Sequence, residues 1–208
     1  MQDVKQSRAI ATRERILQAA AGLFALKGFH DTKLKDVLKS AEVTTGAFFH
    51  HFQNKDDLGF AVIDRHMERR CQQLNKIEKE LPSGPDEGML TPVFRRLDAI
   101  NEMARKRGRT KGGCVIGNLS ASLSDTHEPF RRKLAECFKE MSLEFEPHIA
   151  AVIQERDLLQ RLDAKELAQY IVTVIEGAIL LSRTSRDGQL ITCQFEFLKE
   201  YLRSLLRS

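Results

Sequence analysis

Thr44, Thr45 and Gly46, followed by Phe48, Phe49, His50, His51 and Phe52, have the residue types and spacing to hold an anionic polymer. Hydroxyls and free N–H groups at the start of a short helix can meet phosphate oxygens, and small residues there let the backbone approach a groove floor. Thr44 reads as an N-cap whose hydroxyl accepts a backbone N–H from Gly46 or Ala47, opening a helix of about two turns. The same residues would also suit an ordinary helical bundle, with Phe48 and Phe52 in the core and the histidine pair on its surface. The surroundings decide between the two.

Just upstream, Leu34, Val37 and Leu38 form an apolar stripe at helical period behind Asp31 and Thr32 as candidate N-caps, with Lys33, Lys35 and Lys39 off the stripe. Ala41-Glu42-Val43 interrupts the pattern, which leaves two short helices joined by a tight turn: a helix-turn-helix. A preceding helix over 10–27 places Ile10, Ile16, Leu17, Ala20, Leu23 and Phe24 on one side and meets Gly28, suited to a left-handed stop. Residues 1–55 hold nine Lys/Arg against five Asp/Glu, whereas the remainder balances 24 against 24, so the chain's formal net charge of +4 resides in this segment. A basic head on a neutral body is the electrostatic footprint of a DNA-binding domain.

The run TRERILQAAAGLFALKGFHDTKLKDVLKSAEVTTGAFFHHFQNKDDL, residues 12–58, resembles the N-terminal domain of the TetR/AcrR family of transcriptional regulators. The elements that carry the resemblance are Gly28-Phe29, Thr32, Ala41-Glu42-Val43, Phe49-His50-His51-Phe52 and Lys55 with Leu58. By this resemblance, Thr44, Thr45, Phe49 and His50 would face the groove or its phosphates, and Lys55 would reach a phosphate from the start of the fourth helix. The chain departs from the family pattern at Glu42, where glycine is usual in the turn, and at Phe49, where tyrosine is usual. Lys33 or Lys35 could replace the phosphate contact of the missing phenol.

Further along, strand signals are scarce. The chain reads as all-α with about nine helices: a three-helix DNA-binding domain over 1–52 and a helical ligand-binding and dimerisation domain over 53–208. A fourth helix spans about 54–80, and LPSGPDEGMLTP (81–92) is a loop. A fifth helix opens at Thr91-Pro92 and runs to about 106, and Gly108, Gly112 and Gly113 mark a second break. A sixth spans 114–123. The seventh starts near Glu128-Pro129 and runs through Gln154, kinked at Pro147. The eighth covers 163–183, and the last follows Asp187-Gly188. These final two carry apolar faces wider than one small core needs, which points to a two-fold homodimer presenting two recognition helices to a palindromic operator. No stretch is long and apolar enough to span a membrane and no signal peptide opens the sequence, so a cytoplasmic protein is expected.

Cys71, Cys114, Cys137 and Cys193 show no CxxC or zinc spacing, which fits reduced thiols. Cys114 follows Lys111-Gly112-Gly113 beside the basic run 105–111, an environment that favours thiolate; the alternative is a small buried core residue. GGCVIGNLS also resembles a subgroup of the family that answers reactive electrophiles. Glu176 is a charge in an apolar run, either paired or a ligand contact. A small-molecule pocket is expected among Phe94, Met103, Cys114, Asn118, Phe138, Met141, His148 and Glu176. No glycine-rich phosphate loop, HExxH or G-x-S-x-G occurs, and the six histidines lack ligand spacing, so neither enzyme activity, nor a cofactor, nor a metal is expected. The expected function is a ligand-responsive DNA-binding regulator released from its operator by an inducer. Two alternatives stand beside it: the same regulator switched by modification of Cys114, and a helical adaptor or enzyme with an incidental helix-turn-helix.

Overall fold

The computed structural model describes residues 2–82, 84, 88–106, 113–158 and 161–206. Gly108, Gly112 and the basic run beyond Lys106 lie outside them. Ten α-helices follow in order: α1 (Gln2–Asp31), α2 (Leu34–Ala41), α3 (Thr45–Phe49), α4 (Lys55–Glu80), α5 (Thr91–Lys106), α6 (Val115–Leu123), α7 (Glu128–Leu143), α8 (Glu146–Glu155), α9 (Ala164–Ser185) and α10 (Gln189–Leu205). A 3₁₀ turn at Gly88–Leu90 leads into α5. No strand occurs among the described residues.

The chain packs as two compact units, one made of Met1–Arg69 with Cys114–Leu134, the other of Arg70–Gly113 with Ala135–Ser208. Helices α4 and α7 each contribute residues to both. In the first unit, α1 buries Ile16, Leu17, Ala20 and Phe24 against α2 and α6. The helix begins at Gln2 rather than Ile10, and among the described side chains none before Ile16 is buried.

Gly28 ends the regular part of α1, although not in the left-handed helical conformation expected of it. Its φ of 79° and ψ of 170° lie in a region open essentially to glycine alone. This swing frees the Gly28 carbonyl, which accepts the Thr32 hydroxyl at 2.7 Å. Thr32 is thus fully buried and its hydroxyl points back toward α1, so it does not cap α2. Nor does Asp31: the Asp36 carboxylate accepts the Lys33 N–H at 3.4 Å instead.

Behind the turn lies an aromatic cluster. Phe130 at the start of α7 stacks on Phe60 at 4.3 Å and meets Phe29 at 4.9 Å, and Phe29 meets Phe24 at 5.1 Å. His127 stands edge-on to Phe130 at 4.7 Å and approaches the Asp56 carboxylate to 3.0 Å. Lys133 pairs with Asp64 at 2.7 Å. These contacts bind the beginnings of α4 and α7 together within the unit.

In the second unit, α9 packs on α8 and α10, and α10 on α5. Asp163 caps α9 by accepting the Glu166 N–H at 2.8 Å. The long helix expected through Gln154 is divided. Pro147 has no N–H for the Leu143 carbonyl, and its ring clashes there, so α7 stops at Leu143 and α8 restarts with Pro147 in its first turn. That break raises the helix count from about nine to ten. At the corner, buried Arg70 pairs with Glu144, whose carboxylate also faces Arg96 at 3.7 Å.

Gly59 is closely packed: a Cβ there would lie 2.6 Å from Phe130 Cζ and 2.9 Å from Phe29 Cε2. Both rings are packed on several sides, so neither can yield easily. Gly59→Ala is expected to lower unfolding free energy by about 1–3 kcal/mol, read from the midpoint of urea denaturation.

Candidate nucleic-acid interface

Thr44 has extended backbone (φ −79°, ψ 158°), and its hydroxyl accepts the Ala47 N–H at 3.2 Å, which starts α3. The helix has five residues and continues into a turn at His50 and His51, shorter than the two turns expected. Phe48 is fully buried and Phe52 nearly so, their rings 5.6 Å apart. The opposite side is open: Thr44, Thr45, Gly46 and His50 are exposed, and Phe49 keeps 54% of its surface in solvent. The two buried rings therefore anchor a helix whose other face is small, polar and unencumbered.

Lys33, Lys35 and Lys39 are exposed on and before α2. Glu42 ends that helix in the left-handed conformation, φ 53° and ψ 49°, with its side chain exposed. A residue with a Cβ carries a penalty of roughly 1–2 kcal/mol in that conformation. The turn thus demands what glycine would give freely.

Lys55 is placed differently from a free phosphate ligand. Its ammonium lies 4.3 Å from the Phe29 ring centroid and donates to the His30 carbonyl at 3.3 Å. Burial pushes its pKa below the ordinary lysine value, against the pull of Asp56 and Asp31. It ties the start of α4 to the end of α1. Arg13, which no local spacing links to the motif, stands over Phe52 with its guanidinium carbon 5.3 Å from the ring centroid. The neighbouring Glu14 turns instead to α4, accepting Arg65 Nε at 2.8 Å and Arg69 at 3.0 Å. The Arg65 hydrogen bond, with the Arg65, Arg69 and Arg13 charges, holds its carboxyl below the usual range despite some burial.

Residues 16–62 match the family model described as bacterial regulatory proteins, tetR family, and residues 94–194 match the tetracyclin repressor-like C-terminal domain. The chain is 31% identical over 195 residues to an uncharacterised HTH-type transcriptional regulator in the lacX 3' region of Lactococcus lactis subsp. lactis, covering 90% of this chain and 91% of that one. This chain belongs to the tetR family. Among other relatives of this regulator, the HTH-type transcriptional repressor DhaR of Mycobacterium sp. (strain GP1) is 26% identical over 191 residues, covering 89% and 91%. The fold of a TetR transcriptional regulator from Chloroflexus aurantiacus J-10-FL superimposes with a TM-score of 0.79 at 23% identity, covering 95% of this chain and 96% of that one.

In this tetR-family regulator the eight side chains expected to form one pocket are distributed differently. Phe138 on α7 and Glu176 on α9 line one open groove of about 590 Å³, together with Ala135, Lys139, Ser142, Gln169, Val172 and Thr173. Phe94 lines a separate cavity of about 640 Å³ between α5 and α10. Met141 is packed in the core, His148 is exposed on α8, and half-buried Met103 lines neither cavity. Cys114 and Asn118 belong to the other unit, where Cys114 caps α6 with its Sγ accepting the Gly117 N–H at 3.5 Å. Apolar periodicity reports which side of a helix is covered, not which helix covers it. No helix of the described residues is long and apolar enough to cross a membrane.

Two tests follow from α3 itself. A Cβ on Gly46 would meet nothing within 4 Å. Gly46→Ala is therefore expected to stabilise the free protein by about 0.5–1 kcal/mol, through helix propensity alone, while weakening DNA binding by blocking close approach. Denaturation and fluorescence anisotropy on the same variant check both signs.

His51 titrates below the ordinary histidine value because burial, then the His50 and Arg13 charges, disfavour its cation. Between its folded value and the ordinary value of about 6.5, the unfolded chain binds more protons, so this contribution is complete above that value and lost as pH falls. His51→Gln is expected to lose less thermal stability than the parent when pH is lowered from neutral into this window.

Proposed function

We propose that this regulator is a repressor that leaves a palindromic operator when a small-molecule inducer binds. The observation that carries the proposal is the open face of α3: Thr44, Thr45, Gly46, Phe49 and His50 exposed beside Lys33 and Lys35, on a helix anchored from behind by Phe48 and Phe52. Residues 1–52 read the operator and 53–208 bind the inducer and dimerise. Lys55 keeps the proposed phosphate role only if DNA draws its ammonium away from the His30 carbonyl. The repressor sign draws support from the names of relatives, DhaR and the repressor NemR of Escherichia coli (strain K12).

The dimer forms through α9 and α10. Tyr170, Leu180 and Leu181 on α9, with Phe197 and Tyr201 on α10, remain exposed in the single chain, and the two tyrosine rings lie 5.4 Å apart. Such a patch on a lone chain marks an interaction site. Gly177 on the same helix leaves open space where a second backbone could approach.

The groove between α7 and α9 receives the inducer, with Phe138 and Val172 as apolar wall and Glu176, Lys139 and Ser142 as polar contacts. α4 begins a few residues after the recognition helix and is the lever. A ligand that favours the conformer with mis-spaced recognition helices lowers operator affinity by its differential affinity for the two conformers. A hundredfold fall in occupancy needs about 2.7 kcal/mol of coupling.

A second reading makes Cys114 the switch by alkylation or oxidation, favoured by its sulfur capping α6. Cys114→Ser would abolish an electrophile response and leave a reversible one intact.

The test is binding to DNA fragments from the protein's own gene neighbourhood at two salt concentrations. A preference of about a thousandfold over scrambled duplex, with a steep salt slope, supports the regulator; equal weak binding overturns it. Phe197→Glu is expected to give monomers in light scattering and to reduce operator binding sharply while helix content by circular dichroism stays unchanged.

A further inference from the structure

We propose that Arg13 on α1 is a phosphate contact that clamps the exit of the recognition helix onto the DNA backbone. The inference rests on the DNA-binding reading above and extends it to a residue outside the helix-turn-helix. Arg13 is exposed, and its guanidinium carbon lies 5.3 Å from the centroid of Phe52, the ring that closes the recognition segment. Lying over the ring and exposed, the guanidinium keeps N–H donors open to solvent.

Among the described residues no salt bridge holds Arg13, whose charge reaches the adjacent Glu14 and His51 only through space. The adjacent acid, Glu14, is taken by Arg65 and Arg69 from α4, and Arg13 forms no ion pair. The facing groups at this end of α3 are His50 and His51, and burial together with the charges of His50 and Arg13 disfavours the cationic form of His51. Lys55, the other cation held on an aromatic ring here, spends its ammonium on the His30 carbonyl. Arg13 is therefore a cation both pinned in place and available. Pinning matters because a long side chain immobilised only on binding loses rotamer entropy that one already held on a ring has lost beforehand.

Position completes the argument. A helix of five residues is about 7.5 Å long, shorter than the major groove's width of about 12 Å, so a group at its exit lies within reach of a groove wall. Thr44 and the lysines of α2 serve the entry side; Arg13 serves the exit.

The experiment is fluorescence anisotropy of the full-length protein on a labelled mixed-sequence duplex of about 30 base pairs, across a salt series. Parent, Arg13→Ala and Arg13→Lys are compared, with thermal unfolding of each. Arg13→Ala is expected to weaken binding about tenfold and to reduce the salt slope by about 0.9, while Arg13→Lys restores the slope but only part of the affinity. Unchanged affinity and slope in Arg13→Ala would overturn the proposal. So would weaker binding at an unchanged slope with a lowered melting temperature, which marks Arg13 as merely packing on Phe52. If the parent itself shows no salt-dependent binding, the DNA-binding reading fails first.

Discussion

A helix of five residues cannot persist in water on its own, because nucleation fixes more backbone than the few hydrogen bonds gained can offset. α3 exists because Phe48 and Phe52 are buried behind it and Thr44 satisfies the Ala47 N–H in front. Phe52 in turn is sheltered by Arg13 from α1. The first unit can be understood as the apparatus that holds this one turn and a half of helix in a fixed orientation. Its precision comes from ring-on-ring and ring-on-cation contacts, because those fix angles as well as distances.

The same logic reaches α4 and α7. Lys55 on Phe29, Glu14 between Arg65 and Arg69, and Gly59 beneath Phe130 attach α4 to its neighbours at three successive levels. The first is a cation over a ring, the second a shared carboxylate and the third a steric fit. The parts of α4 and α7 that belong to the first unit are thus gripped near the beginnings of those helices. The further ends of those helices meet a different environment: Arg70 and Arg96 converge on Glu144 at the α7–α8 corner.

Much of this was legible in the chain. The helix-turn-helix, its basic balance and the Thr44 cap follow from residue type and local period, because each is decided within one or two helical turns, whereas the burial of Phe48 and Phe52 was expected only of an ordinary bundle. Several local readings differed for identifiable reasons. Thr32 has the chemistry of an N-cap but bonds backwards, since Gly28 leaves a carbonyl within its reach. Pro147 ends a helix where a kink was expected, and α1 starts earlier than its apolar stripe because a helix can continue past the residues that bury it. The groove between α7 and α9 was the least legible part. Its lining depends on which helices become neighbours, so Phe138 and Glu176 share a groove while Met141 and His148, close in sequence to Phe138, do not. Arg13 over Phe52 belongs to the same class of long-range fact.

Glu42 bears on how such a protein finds its site in a cell. A carboxylate held at the helix-turn-helix corner, in a backbone conformation that only glycine adopts without strain, repels every phosphate it meets, whatever the base sequence. Its penalty therefore falls on the millions of competing non-specific sites as fully as on the right one. A repulsion of this kind weakens matched and unmatched DNA by the same factor. With a formal excess of only four positive charges to draw it onto nucleic acid, this chain spends part of a small attraction at the helix-turn-helix corner, which leaves discrimination between sequences to the base-edge contacts.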